Sequence, residues 1–305
     1  MKHGICLTPV YPQAITDYSC MEMLLEKISR QKLFDCVEIY FEGTQEQQKL
    51  LKEALKNRNL EAVYLGGLPI KRDGIDLSAE DEVLRRRSVE ICKSHIERAM
   101  NIGCKKIVIA SGPDWKKENL QRKVVRQMQR SLADLEECCR NEDLEITLEP
   151  FPVNTDPYLA VGDVKTVQDI FQSGCFKNVG LTFDTSHFSQ MGVDVMKSFQ
   201  LLMPWIRHVH LANCVMKDKK DPLYGDKHPL FKQKNGDFSI GCIKEFYREK
   251  ILEQCADQID ICSIEVISRG NADWYYEEIC REAEEIWRDR EEEYGSKNYS
   301  SMGDL

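Results

Sequence analysis

The sequence lacks any apolar run long enough to cross a membrane, because a spanning helix needs about 18 residues and no apolar stretch reaches that length. It also lacks a charged-then-apolar leader, since Met1-Lys2-His3 leads directly into the apolar segment 4–8. No linker rich in glycine, proline or serine interrupts the 305 residues. These absences predict a cytoplasmic protein of one domain with no membrane partner.

Basic charge is scarce as well. The chain has 42 lysines and arginines against 51 acidic residues, which gives a formal net charge of -9. Nucleic-acid backbones and anionic membranes both require clustered basic side chains, so this balance argues against either as the main partner. The basic runs 85–87 and 116–117 fall in helical patterns with acidic neighbours and are interpreted as solvated helix faces.

The chain contains 13 cysteines but lacks the spacing that is typical of cysteine metal sites and redox motifs. No two of them form a Cys-x-x-Cys motif, and Cys138 and Cys139, adjacent in a predicted helix, cannot both face one metal ion. The pattern predicts reduced thiols packed as small apolar side chains.

Short apolar segments alternate with longer amphipathic ones along nearly the whole chain. The predicted strands are 4–8, 36–41, 60–66, 106–110, 145–151, 179–184, 206–213 and 259–268. The predicted helices are 20–30, 46–57, 79–100, 116–140, 164–172, 193–202, 240–254 and 273–293. Strand–helix alternation predicts a parallel sheet, and eight such units predict an α/β protein made of a single (β/α)₈ TIM barrel. We expect the barrel to cover 1–292 and a polar C-terminal tail to cover 293–305.

The last inward-facing residue of a barrel strand lies where barrel active sites form. Side-chain alternation places one metal-binding type of side chain there in each of four consecutive predicted strands: Glu149, Asp184, His210 and Glu265. Two residues before each lies a polar residue suited to support it: Thr147, Thr182, His208 or Ser263. Buried carboxylates without compensation are strongly unfavourable, so the pattern predicts one divalent cation. Three carboxylates and one imidazole suit Mn²⁺ best, with Mg²⁺, Co²⁺ and Zn²⁺ as alternatives.

Histidines are few and concentrated. Four of the six lie in 187–228, and two of these, His187 and His228, stand outside the predicted strands. Asp226 and His228 fall in the long segment after the seventh strand. Their spacing suits either a second metal ion or substrate binding, and both readings stay open here.

Taken together, these strings resemble the xylose-isomerase-like TIM barrels, which include sugar isomerases, ketose 3-epimerases, inosose dehydratases and endonuclease-IV-type nucleases. The resemblance spans the chain and rests on motifs around five positions: Glu149-Pro150, Phe183-Asp184-Thr-Ser-His187, His208-Val-His210, Asp226-Lys-His228 and Ser263-Ile-Glu265. It implies that Glu149, Asp184, His210 and Glu265 bind the metal. It also implies that His187 contacts the substrate, or a metal ion in the nuclease branch, and that the chain forms a homo-oligomer.

The sequence departs from the family's motifs at two places, and these departures reduce the number of family activities that it fits. Nucleases of this family add a histidine ligand after each of strands three and four, whereas these strands end in Leu65-Gly66-Gly67 and in 110–113, which contain none. Ketose 3-epimerases carry a glutamate and an arginine where this chain has Thr155 and Met216. The first departure disfavours a nuclease, and the second puts a free-ketohexose 3-epimerase in doubt.

The favoured function is a metal-dependent isomerase or epimerase acting on a small keto- or aldo-sugar. Glu149 and Glu265 would remove and return a proton next to a carbonyl through an enediolate, and His187, Asp226 and His228 would bind the substrate. One alternative is a lyase acting on a keto-sugar or keto-inositol, because elimination starts with the same proton abstraction. A non-catalytic sugar-binding subunit and a nuclease are minor alternatives.

Overall fold

The computed structural model describes residues 1–115, 121–140 and 142–287. Eight strands close into a parallel barrel in chain order, from β1 to β8 and back to β1. The strands are β1 (Lys2–Cys6), β2 (Cys36–Ile39), β3 (Glu61–Leu65), β4 (Lys106–Ile109), β5 (Glu145–Leu148), β6 (Val179–Asp184), β7 (Ile206–Ala212) and β8 (Ile261–Glu265). The predicted (β/α)₈ TIM barrel is therefore confirmed.

Helices connect the strands around the outside of the barrel. They are α1 (Leu7–Val10), α2 (Tyr18–Gln31), α3 (Gln45–Asn57), α4 (Glu82–Ile102), α5 (Gln121–Cys138), α6 (Val164–Ser173), α7 (Thr185–Gln190), α8 (Val195–Leu202), α9 (Ile240–Phe246), α10 (Glu253–Cys255) and α11 (Ala272–Trp287). A π-helical segment, Tyr247–Leu252, joins α9 to α10. Within the described residues, no helix is both long enough and apolar enough to cross a membrane.

The predicted strands and helices all form, with differences at their ends. The first strand is wrong by two residues, because Leu7 and Thr8 begin the short α1 instead of extending β1. The predicted start of α4 at residue 79 is wrong by three residues, because Asp81 caps the helix by accepting a hydrogen bond from the backbone N–H of Leu84. Gly103, in the left-handed conformation, ends the helix. The predicted tail, 293–305, and the domain boundary at 292 lie outside the described residues.

The register of β6, β7 and β8 brings the inward-facing polar residues to matching levels. Thr182 pairs with His208 and Asp184 with His210 across β6 and β7. Across the next pair of strands, His210 lies opposite Ser263. Paired residues of parallel strands share a face, so Thr182 and His208 lie at one level inside the barrel and Asp184, His210 and Ser263 at the next. Glu265 pairs with Ala212 and lies one step closer to the C-terminal end.

An aromatic cluster packs behind the strand that ends in Asp184. The ring of Phe183 stacks on that of Phe188 at a centroid distance of 4.1 Å and meets Phe199 edge-on at 5.1 Å. All three side chains are fully buried. This contact fixes the end of β6 against the helices that follow it.

Replacing Phe183 by alanine is expected to lower the free energy of unfolding by about 3–5 kcal/mol, because it leaves a cavity in this cluster. Chemical denaturation followed by circular dichroism measures the change. Val83→Ala, at a side chain 77% exposed on α4, is the control and should change stability by less than about 0.5 kcal/mol. A loss below about 1 kcal/mol for Phe183→Ala would show that the cluster does not hold β6.

Candidate metal centre

Four side chains from neighbouring strands converge at the C-terminal end of the barrel. Asp184 and Glu265 are the last residues of β6 and β8, His210 lies within β7, and Glu149 follows β5 directly. One ligand atom from each lies within 4.8 Å of those of the other three. Glu149, Asp184 and His210 are buried and Glu265 is partly exposed. The structure thus brings together the four residues proposed from sequence as metal ligands; their ligand role itself stays a prediction.

One nitrogen of His210 forms the centre of this cluster. Its Nδ1 lies 2.9 Å from Glu149 Oε1 and 3.0 Å from Glu265 Oε2. Asp184 Oδ2 lies 3.9 Å from the same nitrogen. Three carboxylates therefore surround one imidazole nitrogen, which is the arrangement expected of ligands around a single small ion.

The chemistry of this donor set fits a divalent cation. Three carboxylates carry more negative charge than one imidazole can offset, and burial makes uncompensated charge costly. Within the described part of the chain, Asp184 Oδ2 is buried and has no hydrogen-bond partner. An ion bound by Glu149, Asp184, His210 and Glu265 would satisfy that oxygen and neutralise the excess charge.

The opposite nitrogen of His210 contacts a residue that sequence reasoning missed. Its Nε2 lies 3.0 Å from Oε2 of Glu38, a side chain of β2 that is fully buried. Oε1 of Glu38 lies 2.9 Å from Nε2 of His208. The available signal was a single carboxylate in the otherwise apolar string Cys36–Ile39.

The layer below the rim is a chain of hydrogen bonds. Nδ1 of His208 lies 3.2 Å from the Thr182 hydroxyl, which is 2.7 Å from the Thr147 hydroxyl. Three of the four residues predicted to support the rim are thus linked to one another and to Glu38. Ser263 is separate: its buried hydroxyl has no hydrogen-bond partner among the described residues.

A second group of polar side chains borders the four-residue cluster. His187 Nε2 lies 3.2 Å from Oδ1 of Asp226, and the same oxygen also contacts Nε2 of His228. Asp184, His187 and His228 again offer ligand atoms within 4.8 Å of one another. The structure therefore places Asp226 and His228 at the site, and its geometry suits either substrate binding or a second ion.

The charges of this second group depend on one another. Burial alone would lower the pKa of His187, but Asp184 and Asp226 outweigh it and raise that pKa to about 9. His228 is likewise buried, and Glu265 and Asp226 raise its pKa to about 10. Burial favours a neutral Asp226, yet the two imidazoles hold the pKa of its carboxyl well below the usual range.

The pKa values of Glu149 and Glu265, the two rim glutamates, shift in opposite directions. Burial raises the pKa of Glu149, and the nearby His210 only partly opposes this shift. Burial also acts on Glu265, but His228 and His210 outweigh it and leave its pKa below the usual range. The two carboxyls thus sit in unequal environments on either side of His210.

A cavity of about 400 Å³ opens above the cluster. Glu149, Glu265, His187, Asp226 and His228 line one end of it. Much of the remaining wall is apolar and comes from strand ends and the segments that follow them: Pro9, Pro12, Ile15, Leu65, Leu68, Ile70, Val108, Phe151, Leu159 and Ile267. The cavity has the size of a small-molecule site and presents its titratable groups at a single end.

Four aromatic residues that follow the barrel strands lie in different environments. The Phe151 ring lies 4.0 Å from that of His187 and lines the cavity, whereas Phe188 belongs to the aromatic core. Trp115 and Tyr158 are 39% and 43% exposed. Of these four, only Phe151 adjoins the polar end of the cavity.

Fold and site define a (β/α)₈ barrel with a candidate metal centre at the C-terminal ends of its strands. The model of the xylose isomerase-like TIM barrel family matches residues 30–239. The chain belongs to that family, as the sequence resemblance indicated.

Solved structures show the same fold. A D-tagatose 3-epimerase-like protein is 21% identical, with a TM-score of 0.70 over 95% of this chain and 99% of its own. The IolI protein, solved with a zinc atom, is 16% identical, with a TM-score of 0.69 over 95% and 97%. A probable 3-DHS dehydratase from Bacillus anthracis is 16% identical, with a TM-score of 0.65 over 95% and 100%. At these identities the likeness concerns the fold. Comparison with curated proteins gives no significant match.

Proposed function

We propose that this protein is a divalent-metal-dependent isomerase or epimerase of a keto- or aldo-sugar. The observation that carries the proposal is the placement of Glu149 and Glu265 at 2.9 and 3.0 Å from one nitrogen of His210, at the floor of a ligand-sized cavity. Two carboxylates that face one point can serve as base and acid for a proton that leaves and returns to a carbon.

Glu149, Asp184, His210 and Glu265 would hold the cation. When bound, the ion would supply Lewis-acid polarisation of a carbonyl oxygen and stabilise the negative charge that develops there. Its oxygen-rich donor set favours Mn²⁺, while zinc is the ion named for the related IolI structure. Competition between Mn²⁺, Mg²⁺, Co²⁺ and Zn²⁺ for the metal-free protein would establish the order of affinity.

Side chains of the protein would transfer the proton, orient the substrate and exclude water. One of Glu149 and Glu265 would remove a proton from a substrate carbon, and the other would return one. In an epimerase the proton returns to the opposite face of the same carbon, and in an isomerase it returns to the neighbouring carbon. His187, held by Asp226 and packed on Phe151, would orient a substrate oxygen. His228 contacts the same carboxylate and would complete this polar end of the cavity. The apolar walls of the cavity would exclude water from the enediolate.

A lyase is the second candidate, because one structural neighbour is described as a dehydratase. Elimination begins with the same proton abstraction, so the four rim residues serve either reaction. The nuclease alternative has less support: among the described residues, no histidine follows β3 or β4 at the rim. The homo-oligomer stays a prediction.

Solvent tritium exchange separates the two candidates. The metal-loaded protein is incubated in tritiated water with a panel of keto-sugars and keto-inositols. An isomerase or epimerase should return labelled sugar isomers, whereas a lyase should accumulate an unsaturated product. The metal-free protein is the control. If neither label nor product forms with any substrate class, the proton-transfer proposal is wrong.

A further inference from the structure

We propose that Glu38 is a positioning residue that fixes the ring of His210 and presents its Nδ1 to the metal ion. This inference rests on the proposed metal site and names a residue that lies outside it, on the opposite side of the barrel interior. Glu38 is fully buried on β2, and β2 supplies none of the four rim residues.

The two ring nitrogens of His210 face different residues. Nδ1 faces the carboxylates of Glu149 and Glu265, and Nε2 faces Oε2 of Glu38 at 3.0 Å. A metal-binding imidazole is neutral, with one N–H and one lone pair, and an ionised carboxylate can only accept. With the cation on the Nδ1 side, among the rim carboxylates, the single N–H of His210 is on Nε2, and Glu38 accepts it. Metal-bound histidines elsewhere are commonly oriented in this way by an outer carboxylate.

Glu38 is itself held from its other side. Oε1 of Glu38 takes a contact of 2.9 Å from Nε2 of His208, so both carboxylate oxygens have a fixed partner. The Thr182 hydroxyl holds the far nitrogen of His208 at 3.2 Å. A fully buried carboxylate with two imidazole partners cannot rotate without leaving a buried polar group unpaired, which costs about 1–3 kcal/mol or more. The ring of His210 is thus anchored by a rigid support.

A second reading of the same residues is an additional metal site. Cys6, Glu38 and His210 also offer ligand atoms within 4.8 Å of one another. An ion there would take Nε2 of His210 as a ligand instead of a hydrogen-bond donor. Glu38 is the one carboxylate at Nε2, and each of its two oxygens contacts an imidazole nitrogen. Three carboxylates, by contrast, face Nδ1, so the excess negative charge that an ion would offset lies on that side. We therefore infer that Glu38 positions His210, and a second ion at Cys6, Glu38 and His210 is an outcome that the tests below distinguish.

The test is Glu38→Gln, which keeps the shape of the side chain and removes one of its two acceptor oxygens. The affinity of the metal-free protein for Mn²⁺ and Zn²⁺, measured by calorimetry or chelator competition, should fall about 10–100-fold. Glu282→Gln is the matched control: it makes the same substitution at a buried glutamate of α11 outside the metal site, where the carboxylate accepts hydrogen bonds from the backbone N–H groups of Phe231 and Lys232. Its metal affinity should stay within about threefold of the parent.

A spectroscopic readout separates positioning from general destabilisation. The zinc-loaded protein, labelled with ¹⁵N-histidine, has only six histidines to assign. We expect His210 to bind through Nδ1 and to show a protected Nε2–H proton shifted downfield, which Glu38→Gln should shift or broaden. The parent protein alone can overturn the inference, even if the variant does not fold: metal bound through Nε2 of its His210 would contradict positioning by Glu38.

The outcomes keep this inference apart from the proposed function. If the parent binds metal tightly and Glu38→Gln binds it equally well, Glu38 does not position His210, although the metal site stands. If the parent binds no divalent metal, both proposals fail. Two ions per chain, with one removed by Cys6→Ala, would replace positioning by the second metal site.

Discussion

Glu265→Gln is expected to lower turnover by about 10²–10⁴-fold, because an amide cannot accept or return a proton at the substrate carbon. The amide oxygen can still act as a ligand, so metal binding should persist with reduced affinity. Turnover is therefore measured at saturating metal on the substrate class that shows solvent exchange. Metal content is measured on the same sample, so loss of the ion is not mistaken for loss of the base.

Glu149→Gln should show the same pattern, because Glu149 faces the same nitrogen of His210 from the other side. Glu90→Gln, at an exposed side chain of α4 paired with Lys93, is the matched control and should behave like the parent. Turnover near the parent rate in either active-site variant, with metal bound, would show that the two glutamates act only as ligands. The proton would then have to be moved by another group.

Asp184→Asn is expected to abolish the stabilisation that a bound metal gives to the fold. A ligand that binds only the native state at 100 times its dissociation constant stabilises it by about 2.7 kcal/mol. Asp184 also caps α7, its Oδ1 accepting a hydrogen bond of 2.8 Å from the backbone N–H of His187. Asparagine has one oxygen, which keeps the cap, and an NH₂ group in the place of Oδ2, the oxygen that faces His210. An NH₂ group cannot bind a cation, so this variant loses the ligand and keeps the cap.

The measurement is thermal unfolding with and without metal. The parent should melt at a higher temperature when Mn²⁺ is added, and a chelator should reverse the shift and abolish turnover. The variant should melt at one temperature in both conditions, close to that of the metal-free parent. A metal-dependent shift of the same size in Asp184→Asn would show that Asp184 is not a ligand.

Local sequence patterns predict much of this fold. Apolar residues recur with one spacing in strands and another in amphipathic helices, so the order of strands and helices, and with it the barrel, can be predicted from the sequence. The four rim residues follow from a second local rule. Side chains along a strand alternate between the barrel interior and the helices, so each rim residue can be assigned to the interior from its position in its own strand. The four are Glu149, Asp184, His210 and Glu265. The barrel topology then brings them together.

Other features depend on contacts that no local pattern reveals. Glu38 lies on a strand distant in sequence from His210, and only barrel closure brings the two side chains to hydrogen-bonding distance. The burial of His228 depends on the fold of the long loop after β7. The end of β1 was mispredicted because Leu7 and Thr8 are buried in α1 as they would be in a strand, so their residue types do not distinguish the two.

The cavity adds a constraint on the substrate. Its polar groups gather at one end, while residues such as Pro12, Ile15 and Leu68 line other parts of the wall. Thr155 stands where ketose 3-epimerases carry a glutamate, and its hydroxyl is bonded to Gln190 at 2.8 Å. That hydrogen bond ties Thr155 to the last residue of α7, and this position offers no carboxylate to a substrate. Both points disfavour a free-ketohexose 3-epimerase, as the sequence departure indicated.

We expect Glu149, Asp184, His210 and Glu265 to bind one divalent cation. The test is an anomalous difference map from crystals of the protein soaked with Mn²⁺. One strong peak is expected at about 2.0–2.3 Å from an oxygen of each carboxylate and from Nδ1 of His210. A peak bound by Nε2 of His210, or the lack of any peak within reach of the four residues at saturating metal, would contradict it.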